Sequence, residues 1–440
     1  MLKTSLILVT CVLLSAGGAA AQTRPSSLST LFDEVFGPNG LVVSSDDVQL
    51  DGSNHAAHFN SSFQSEFRLM NIALTSQLTA VPVPSPASGF TYKFDPSTGT
   101  FVRSTRSFGP ILADRGETIG RGRIAFGSNL QFFSFDRLDG TSLSDVPAIF
   151  RHDAYRSTGG RSDVIATRNT IQATVTQFTG ALTYGLTDRI DISAAVPIVR
   201  TRISLLSNAT IQRVGTGTDL GFHYFLDPAA PGGHGTSRQF FAGGEAGGGG
   251  DIVLRAKATV MRESNRSLAA GVDVRAPTGD EQNLLGSGTL GVRPFVALSA
   301  SYGAASPHAN AAYQWNGKSL LGGDVRNRVK GDMPDQFHYA LGSDITVNPR
   351  LSLLFDLLGQ RVVHSPRLTT FDFVAGGPAG SVKLRDLKFT TASFWTSSGS
   401  VGLKANLAST LLINFNLRFA LSQAGLTDRV TPLLGMEWAF

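Results

Sequence analysis

Residues that could act in catalysis are present in this 440-residue sequence, but their spacing matches no common catalytic pattern. Serine and histidine adjoin at His364-Ser365, and an aspartate follows a histidine at His152-Asp153. A serine hydrolase also needs a base and an acid around its nucleophile, and no Gly-x-Ser-x-Gly turn is present to expose such a serine. The remaining histidines are scattered, without the short spacings of metal ligands. We therefore predict no enzyme activity, no metal and no cofactor.

Charged residues occur instead at alternate positions inside otherwise apolar segments. In "GDIVLRAKA" (250–258), Arg255 and Lys257 alternate with Leu254 and Ala256. Successive side chains of a strand point to opposite faces, so such segments have one polar and one apolar face. In a closed transmembrane barrel, the polar face lines the lumen. The residues that the alternation assigns to the lumen are Arg121, Arg123, Asp191, Asp251, Arg255, Lys257, Asp273, Arg275, Arg293, His338, Asp344, Asp356, Lys404, Arg418 and Glu437.

These assigned residues include both signs of charge, so they do not form a filter of one sign. Charges in closed spaces are usually paired, and the first interpretation is that they pair with each other or with a plug inside the barrel. The second interpretation is a permeation path of weak selectivity. The sequence leaves both interpretations open.

Composition limits the class of protein. The chain has 48 Gly and 29 Phe, 16% charged residues and a net charge of +5, which is too weak for a nucleic-acid footprint, so no nucleic-acid partner is expected. The only cysteine is Cys11, which excludes a disulfide framework. No apolar run after residue 22 reaches the ~20 residues that a transmembrane helix needs.

The first 21 residues resemble a secretory signal. "MLKTSLILVTCVLLSAGGAAAQ" has a basic start, an apolar run and small residues before Gln22. We predict a signal peptide at 1–21. Because the chain is secreted and has alternating strands but no spanning helix, a closed barrel is the structure by which it could cross a membrane. We therefore predict that the protein lies in the bacterial outer membrane.

Alternation from residue 120 to the C-terminus predicts an all-β fold, an antiparallel transmembrane β-barrel of about 12 strands. Five short turns all fall on one side and six long loops on the other, as in outer-membrane barrels. We read 201–250 and 363–389 as two of the long loops. Fourteen strands are possible if "TRISLLS" (201–207) and "TDLGFHYFL" (218–226) form another spanning hairpin. A secreted soluble multi-sheet protein is the alternative. The predicted strands are 120–137, 168–186, 189–200, 251–262, 266–276, 289–302, 308–316, 336–347, 351–362, 390–403, 410–421 and 430–440.

The segment 22–119 does not follow the strand pattern. Apolar residues at helical spacing in 28–36 and 60–78 predict two amphipathic helices, and 90–105 predicts a small β-hairpin. Such helices must bury an apolar face. We predict that this α-containing segment either fills the lumen as a plug or sits on the periplasmic mouth.

The last strand ends on alternating apolar residues. Met436, Trp438 and Phe440 share one face, while Glu437 lies on the other. This ending resembles the terminal strand of outer-membrane barrels, which the barrel-assembly machinery recognises. We therefore predict that Met436, Trp438 and Phe440 form the assembly signal.

Three motifs in the barrel region carry a resemblance to a known family. "YGLTDRIDISAAVP" (184–197), "GDIVLRAKA" (250–258) and "APTGDEQNLLGSG" (276–288) resemble a bacterial outer-membrane family linked to meta-pathway phenol degradation. That family is distantly similar to the long-chain fatty-acid transporters, and the resemblance covers about residues 120–440. It implies passive uptake of small hydrophobic or aromatic molecules. The Asn-Pro-Ala of the fatty-acid transporters' plug is absent here.

The leading hypothesis is thus an outer-membrane channel or transporter for small hydrophobic or aromatic solutes. The alternative is a scaffold or surface-binding barrel whose long loops contact outside partners, and an outer-membrane hydrolase is a third, less favoured hypothesis. The expected partners are outer-membrane lipid and lipopolysaccharide, the assembly machinery and the solute.

Overall fold

A computed structural model gives the structure of the chain. It describes residues 21–23, 25–37, 40–46, 59–79, 89–95, 97, 100–103, 107–152, 159–408 and 410–440. The predicted signal peptide, 1–21, lies outside the described residues except for Ala21.

Within the described residues, twelve antiparallel strands pair with their neighbours and close into a barrel. The last strand pairs with the first, with Met436 opposite Ser128. The predicted all-β fold and the twelve-strand count are therefore confirmed. The strands are β1 (Ile124–Leu138), β2 (Val164–Gly185), β3 (Ile190–Gln212), β4 (Ser237–Gly249 continued by Val253–Arg262), β5 (Arg266–Arg275), β6 (Gly291–Ala300), β7 (Ala305–Asn316), β8 (Gln336–Asn348), β9 (Leu351–Gly377), β10 (Gly380–Ala408), β11 (Leu411–Ala420) and β12 (Val430–Ala439).

The outer face of the barrel is apolar. On β3, Ile192, Val196 and Ile198 are 45%, 47% and 55% exposed, while their neighbours Asp191 and Ala195 are each 2% exposed. No helix among the described residues is long and apolar enough to cross a membrane. A closed barrel leaves no unpaired backbone edge, and its apolar belt is matched by acyl chains. The protein is an outer-membrane β-barrel.

The two ends of the barrel differ in their connections. Short turns at 186–189, 263–265, 301–304 and 349–350 lie at one end, called here the turn end. At the other, the loop end, β3 pairs with the first part of β4 over Ile198–Thr210, and β9 pairs with β10 up to Gly377. Outer-membrane barrels place short turns in the periplasm and long connections outside the cell.

Two of the predicted loops are wrong in part. Much of 201–250 and of 363–389 is strand, because β3, β4, β9 and β10 continue their pairing beyond the length that a bilayer requires. The fourteen-strand alternative is also wrong, because 201–207 belongs to β3 and only Phe225–Leu226 of 218–226 is strand. A strand that enters water needs no apolar face, so its sequence resembles a loop.

The described part of the N-terminal segment contains two α-helices, α1 (Leu31–Glu34) and α2 (Asn60–Leu78). Their buried residues pack with side chains of the barrel's inner face, and the ring of Phe36 lies 4.8 Å from that of Phe240. A Cβ on Gly244 of β4 would lie 2.8 Å from Leu28, so glycine permits this close approach. The main apolar core therefore lies inside the barrel, towards the loop end.

Shorter elements complete the described chain. The predicted hairpin at 90–105 is present as two paired strands. The short elements are strands Ala21–Thr23, Tyr92–Asp95, Thr100–Arg103, Thr141–Ser142, Val146–Arg151, Phe225–Leu226, His234–Gly235, Lys318–Asp324, Val329–Asp332 and Leu426–Asp428, and 3-10 helices Leu28–Thr30, Gly159–Ser162 and Pro231–Gly233.

Candidate functional site in the barrel lumen

Residues 107–119, called here the strap, lie against the inner face of the barrel wall near the turn end. The strap's Gly116 N–H donates to Ser299 Oγ at 3.0 Å, and its carbonyl accepts from Thr259 Oγ1 at 2.7 Å. Lys257 Nζ donates to the Glu117 carbonyl at 2.7 Å. A Cβ on Gly116 would lie 2.3 Å from the Ser267 carbonyl oxygen, so only glycine fits here. The strap is thus bonded to several strands at once.

The carboxylate of Glu117 is held as an anion in the lumen. It accepts hydrogen bonds from Ser267 Oγ at 2.5 Å and Ser299 Oγ at 2.8 Å. Burial alone would raise the pKa of Glu117, but the positive charge of Arg115 and the two hydroxyl donors bring it below its ordinary value. This side chain therefore joins the strap to β5 and β6 in its charged form.

A second set of contacts connects the strap to the wall through ion pairs. Arg255, whose side chain is 6% exposed, binds Asp114 of the strap at 2.6 Å and Asp273 of the wall at 2.6 Å. Arg293 binds the same Asp273 at 2.5 Å. The Asp114 N–H donates to Asn310 Oδ1 at 2.6 Å. Charge-assisted bonds of this kind are among the stronger polar contacts in a protein.

Lys404 and Glu437 form a buried ion pair at the same end. Their charged atoms lie 2.6 Å apart, and the lysine side chain is 0% exposed. Lys404 Nζ also donates to the carbonyl of Pro110 in the strap at 3.0 Å, and Glu437 Oε2 accepts from the Gly89 N–H at 2.5 Å. The pair therefore joins β10, β12 and the N-terminal segment.

We expect Lys404→Met to lower the free energy of unfolding by ~3–5 kcal/mol, because removing one member of a buried pair leaves the other charge uncompensated. Unfolding of the refolded protein by guanidinium in lipid vesicles measures this. The matched control is Lys383→Met, which breaks an exposed pair with Asp372 whose side chains are 68% and 54% exposed. Exposed pairs contribute only ~0–1 kcal/mol. Equal losses in the two variants would contradict the assignment.

The loop-end side of the lumen is filled by the helices. Met70, Leu74 and Leu78 of α2 are buried. Gln77 Oε1 accepts from the Leu426 N–H of the wall at 2.7 Å, and Asn71 Nδ2 donates to the Ser29 carbonyl at 2.7 Å. Helix α2 therefore closes the lumen from the side opposite to the strap.

A cavity of about 340 Å³ lies between the end of α2 and the strap. Its volume falls within the ~300–1,000 Å³ typical of small-molecule sites. The lining combines aromatic and aliphatic side chains with a few charged groups. The lining residues include Gln77, Leu78 and Thr79 at the end of α2, Leu112 and Asp114 of the strap, and Phe133, Phe135, Asp251, Arg255, Asp273, Arg275, Leu284, Leu285, Arg293, Phe295, Ala312, His338, Arg418 and Asp428.

The structure distributes the sequence-predicted lumen residues over three places. Asp251, Arg255, Asp273, Arg275, Arg293, His338 and Arg418 line the cavity. Asp191, Lys257, Lys404 and Glu437 contact the N-terminal segment, with Asp191 accepting from the Ile119 N–H at 3.0 Å. Asp344 and Asp356 flank His308 of β7, at 3.8 and 2.7 Å.

The two remaining predicted residues, Arg121 and Arg123, precede β1. Arg121 is exposed on the turn before β1, where its N–H donates to Asp188 Oδ1 at 3.3 Å. Arg123 immediately precedes β1, and its guanidinium lies 4.8 Å from the centre of the Tyr92 ring. Neither is among the cavity-lining residues.

Sequence reasoning missed the strap's Asp114 and Glu117 and the apolar lining of the cavity. Phe133, Phe135 and Phe295 occupy inward positions of β1 and β6, although the alternation assigned only charged residues and His338 to the lumen. The only sequence signal for their inward direction is their position. Each is odd-numbered, like the inward polar residues of the same strand.

The adjoining residues His364-Ser365 and His152-Asp153 do not form a catalytic site. Ser365 is buried, whereas the adjoining His364 is exposed. His152 packs against the rings of Phe59 and His223, and Asp153 lies outside the described residues. No group of three or more His, Cys, Asp or Glu among the described residues could hold a metal ion. The absence of enzyme activity remains a prediction.

The terminal strand presents its aromatic residues outwards. Met436, Trp438 and Phe440 are 37%, 47% and 50% exposed. The Phe440 N–H donates to the Ile124 carbonyl at 2.8 Å, so the chain end takes part in barrel closure.

Comparison with known sequences identifies one matching family. The sequence model of the family described as "Putative MetA-pathway of phenol degradation" matches residues 152–357, which confirms the resemblance seen in the barrel motifs. No protein of curated function matches the chain in sequence.

Several solved structures are remotely similar. The COG4313 outer membrane channel from Pseudomonas putida F1 has 16% identity and a TM-score of 0.44, with 74% of this chain and 98% of that chain covered. A Pseudomonas aeruginosa FadL homologue has 10% identity and a TM-score of 0.30, covering 72% and 89%. The Ralstonia pickettii toluene transporter TbuX has 15% identity and a TM-score of 0.28, covering 73% and 90%.

Proposed function

We propose that this barrel, with its match to the phenol-degradation family, is an outer-membrane channel for passive uptake of small hydrophobic or aromatic solutes. The observation that carries the proposal is the cavity enclosed between α2 and the strap. Phe133, Phe135 and Phe295 contribute aromatic surface to it, and Leu284 and Leu285 contribute aliphatic surface. A cavity with this lining suits a solute with an apolar body.

In this proposal, the strap and the helices determine which solutes can pass through the channel. They contact the wall on both sides of the cavity, so we expect them to obstruct a large hydrated solute. A small apolar solute can pass after only local displacement of these segments. It carries no charged group that would be left unpaired inside the lumen. Passage is therefore driven by the solute gradient.

Uptake of N-phenyl-1-naphthylamine by cells with an intact outer membrane tests the proposal, because this probe fluoresces on reaching an apolar environment. Cells that produce the protein should take up the probe faster than cells without it. Ala312→Trp should slow uptake several-fold, because Ala312 lines the cavity and the indole would fill it. The matched control is Ala256→Trp on the outer face of β4, which should leave uptake unchanged. Equal uptake by the two variants would contradict the proposal.

The scaffold hypothesis is favoured by one observation, the long paired hairpins at the loop end. It predicts that probe uptake is the same with and without the protein. Removal of residues 366–391, which form the outer part of the β9–β10 hairpin, should then abolish binding of an outside partner.

A further inference from the structure

The cavity contains hydrogen-bond donors that the protein does not use. Arg418 of β11 donates only one hydrogen bond within the described structure, to Thr431 Oγ1 at 3.4 Å. A guanidinium has five N–H donors. It forms no ion pair with a carboxylate among the described residues, and its positive group lies 5.5 Å from the centre of the Phe133 ring. Arg418 therefore presents a largely uncommitted cation beside an aromatic surface.

Arg275, on another part of the lining, also has donors that the protein does not use, although it forms a loose ion pair with Asp251. Its Nη2 donates to Asn316 Oδ1 at 2.8 Å, while its buried Nε donates no hydrogen bond among the described residues. The nearest carboxylate oxygen, on Asp251, is 3.7 Å away. The side chain keeps 17% of its surface exposed although it points into the barrel.

The acidic residues of the lining are already saturated. Asp251 accepts from the Gly279 N–H and from both the N–H and the hydroxyl of Ser287, at 3.0, 2.8 and 2.6 Å. Asp428, the acid whose charge acts on Arg418, accepts from Ser134, Val430 and Thr431 at 3.2, 3.2 and 2.9 Å. The carboxylates of Asp251 and Asp428 are thus already hydrogen-bonded, whereas Arg418 and Arg275 retain N–H groups that are available to a ligand.

The apolar surface nearest to Arg418 is aromatic. The rings of Phe133 and Phe135 lie 6.0 Å apart with an interplanar angle of 9°, and both belong to the cavity lining. A flat ring can pack against this surface while a substituent on its edge reaches the guanidinium. Arginine matches a carboxylate in geometry, because its paired N–H groups donate to both oxygens.

We infer that the cavity binds small aromatic monocarboxylates, with the carboxylate on Arg418 and the ring against Phe133 and Phe135. The inference rests on the proposed function and names the solute class of the same site. An apolar aromatic solute would displace water from the N–H groups of Arg418 without supplying an acceptor, which costs free energy. An aromatic acid supplies the acceptors that the wall does not.

Calorimetric titration of the full-length protein in detergent tests the inference with benzoate and with benzamide, a neutral molecule of similar shape. Benzoate should bind roughly tenfold or more tightly than benzamide, as a charged hydrogen bond in a buried site implies. Arg418→Gln should remove this preference, and Arg418→Lys should retain part of it. Arg361→Gln, which changes an exposed arginine outside the cavity lining, should leave both affinities unchanged.

Equal affinities of benzoate and benzamide for the wild-type protein would overturn the inference, whether or not the Arg418 variants fold. Retention of the full benzoate preference in folded Arg418→Gln would overturn the assignment to Arg418. The proposed function is tested separately. If cells take up the probe but the protein does not prefer benzoate to benzamide, only the carboxylate specificity is overturned. Loss of probe uptake as well would remove both.

Discussion

Removing residues 22–119 should convert a nearly closed barrel into one with high single-channel conductance. The N-terminal segment contacts the inner wall at both ends of the lumen, through α2 and through the strap. The wall itself closes by pairing of β12 with β1, which involves none of the deleted residues. The shortened barrel should therefore still insert into membranes.

The expected cost of this deletion in stability is modest. Arg255 would lose Asp114 and Lys404 would lose the Pro110 carbonyl, but water entering the lumen would solvate both groups. Asp356 would keep its partners, because His308 and Ser400 both belong to the wall.

Planar-bilayer recordings of both proteins in the same salt measure the effect. A second deletion, of 22–88, keeps the strap and should give an intermediate conductance. Equal conductance of the full and shortened barrels, with both shown to be folded by heat-dependent gel migration, would exclude a plug and favour docking at the periplasmic mouth.

Replacing Phe440 with Asp should strongly reduce the amount of folded protein in the outer membrane of living cells. Phe440 ends the predicted assembly signal, so its loss should impair recognition by the assembly machinery. The direct cost to the folded state should be small, because a charge on the lipid face costs only ~0–1 kcal/mol near an interface. Refolding of the purified variant into lipid vesicles, where no machinery is present, should therefore be almost normal.

The matched control is Phe415→Asp, on the outer face of β11 opposite Leu434. This position lies in the strand interior, where charges on the lipid face are more costly than near the interface. It should impair refolding in vesicles more than Phe440→Asp does, and assembly in cells less. The same order of the two variants in both assays would mean that lipid-face energetics alone explain the defect.

Much of the barrel follows from period-two alternation in the sequence. The segment 189–200 illustrates this, because Ile192, Val196 and Ile198 are exposed while Asp191 is buried. The period of a strand is fixed by backbone geometry, so the inward and outward residues can be assigned without knowledge of the neighbouring strands. The same rule located the twelve strands, but the turn expected after residue 403 is wrong, because β10 continues to Ala408.

The ends of the strands were harder to predict from the sequence. The prediction ended β3 near residue 200, where the apolar outer face ends, but backbone pairing continues to Gln212. Outside the bilayer, polar residues such as Arg200 and Arg202 are tolerated on the outer face, and both pair with Glu245. Pairing between distant segments, rather than alternation, sets the end of such a strand.

The sequence by itself therefore determined the barrel, its strand number and the direction of most of its side chains, because these depend on local backbone geometry and on the apolar requirement of the bilayer. Only the tertiary structure decided that the strap crosses to Arg255 and Lys404, and that Arg418 remains largely uncommitted beside Phe133. These features depend on which residues, far apart in the chain, meet inside a closed lumen, and no periodic pattern records that. The cavity and its unused donors arise from the same long-range packing.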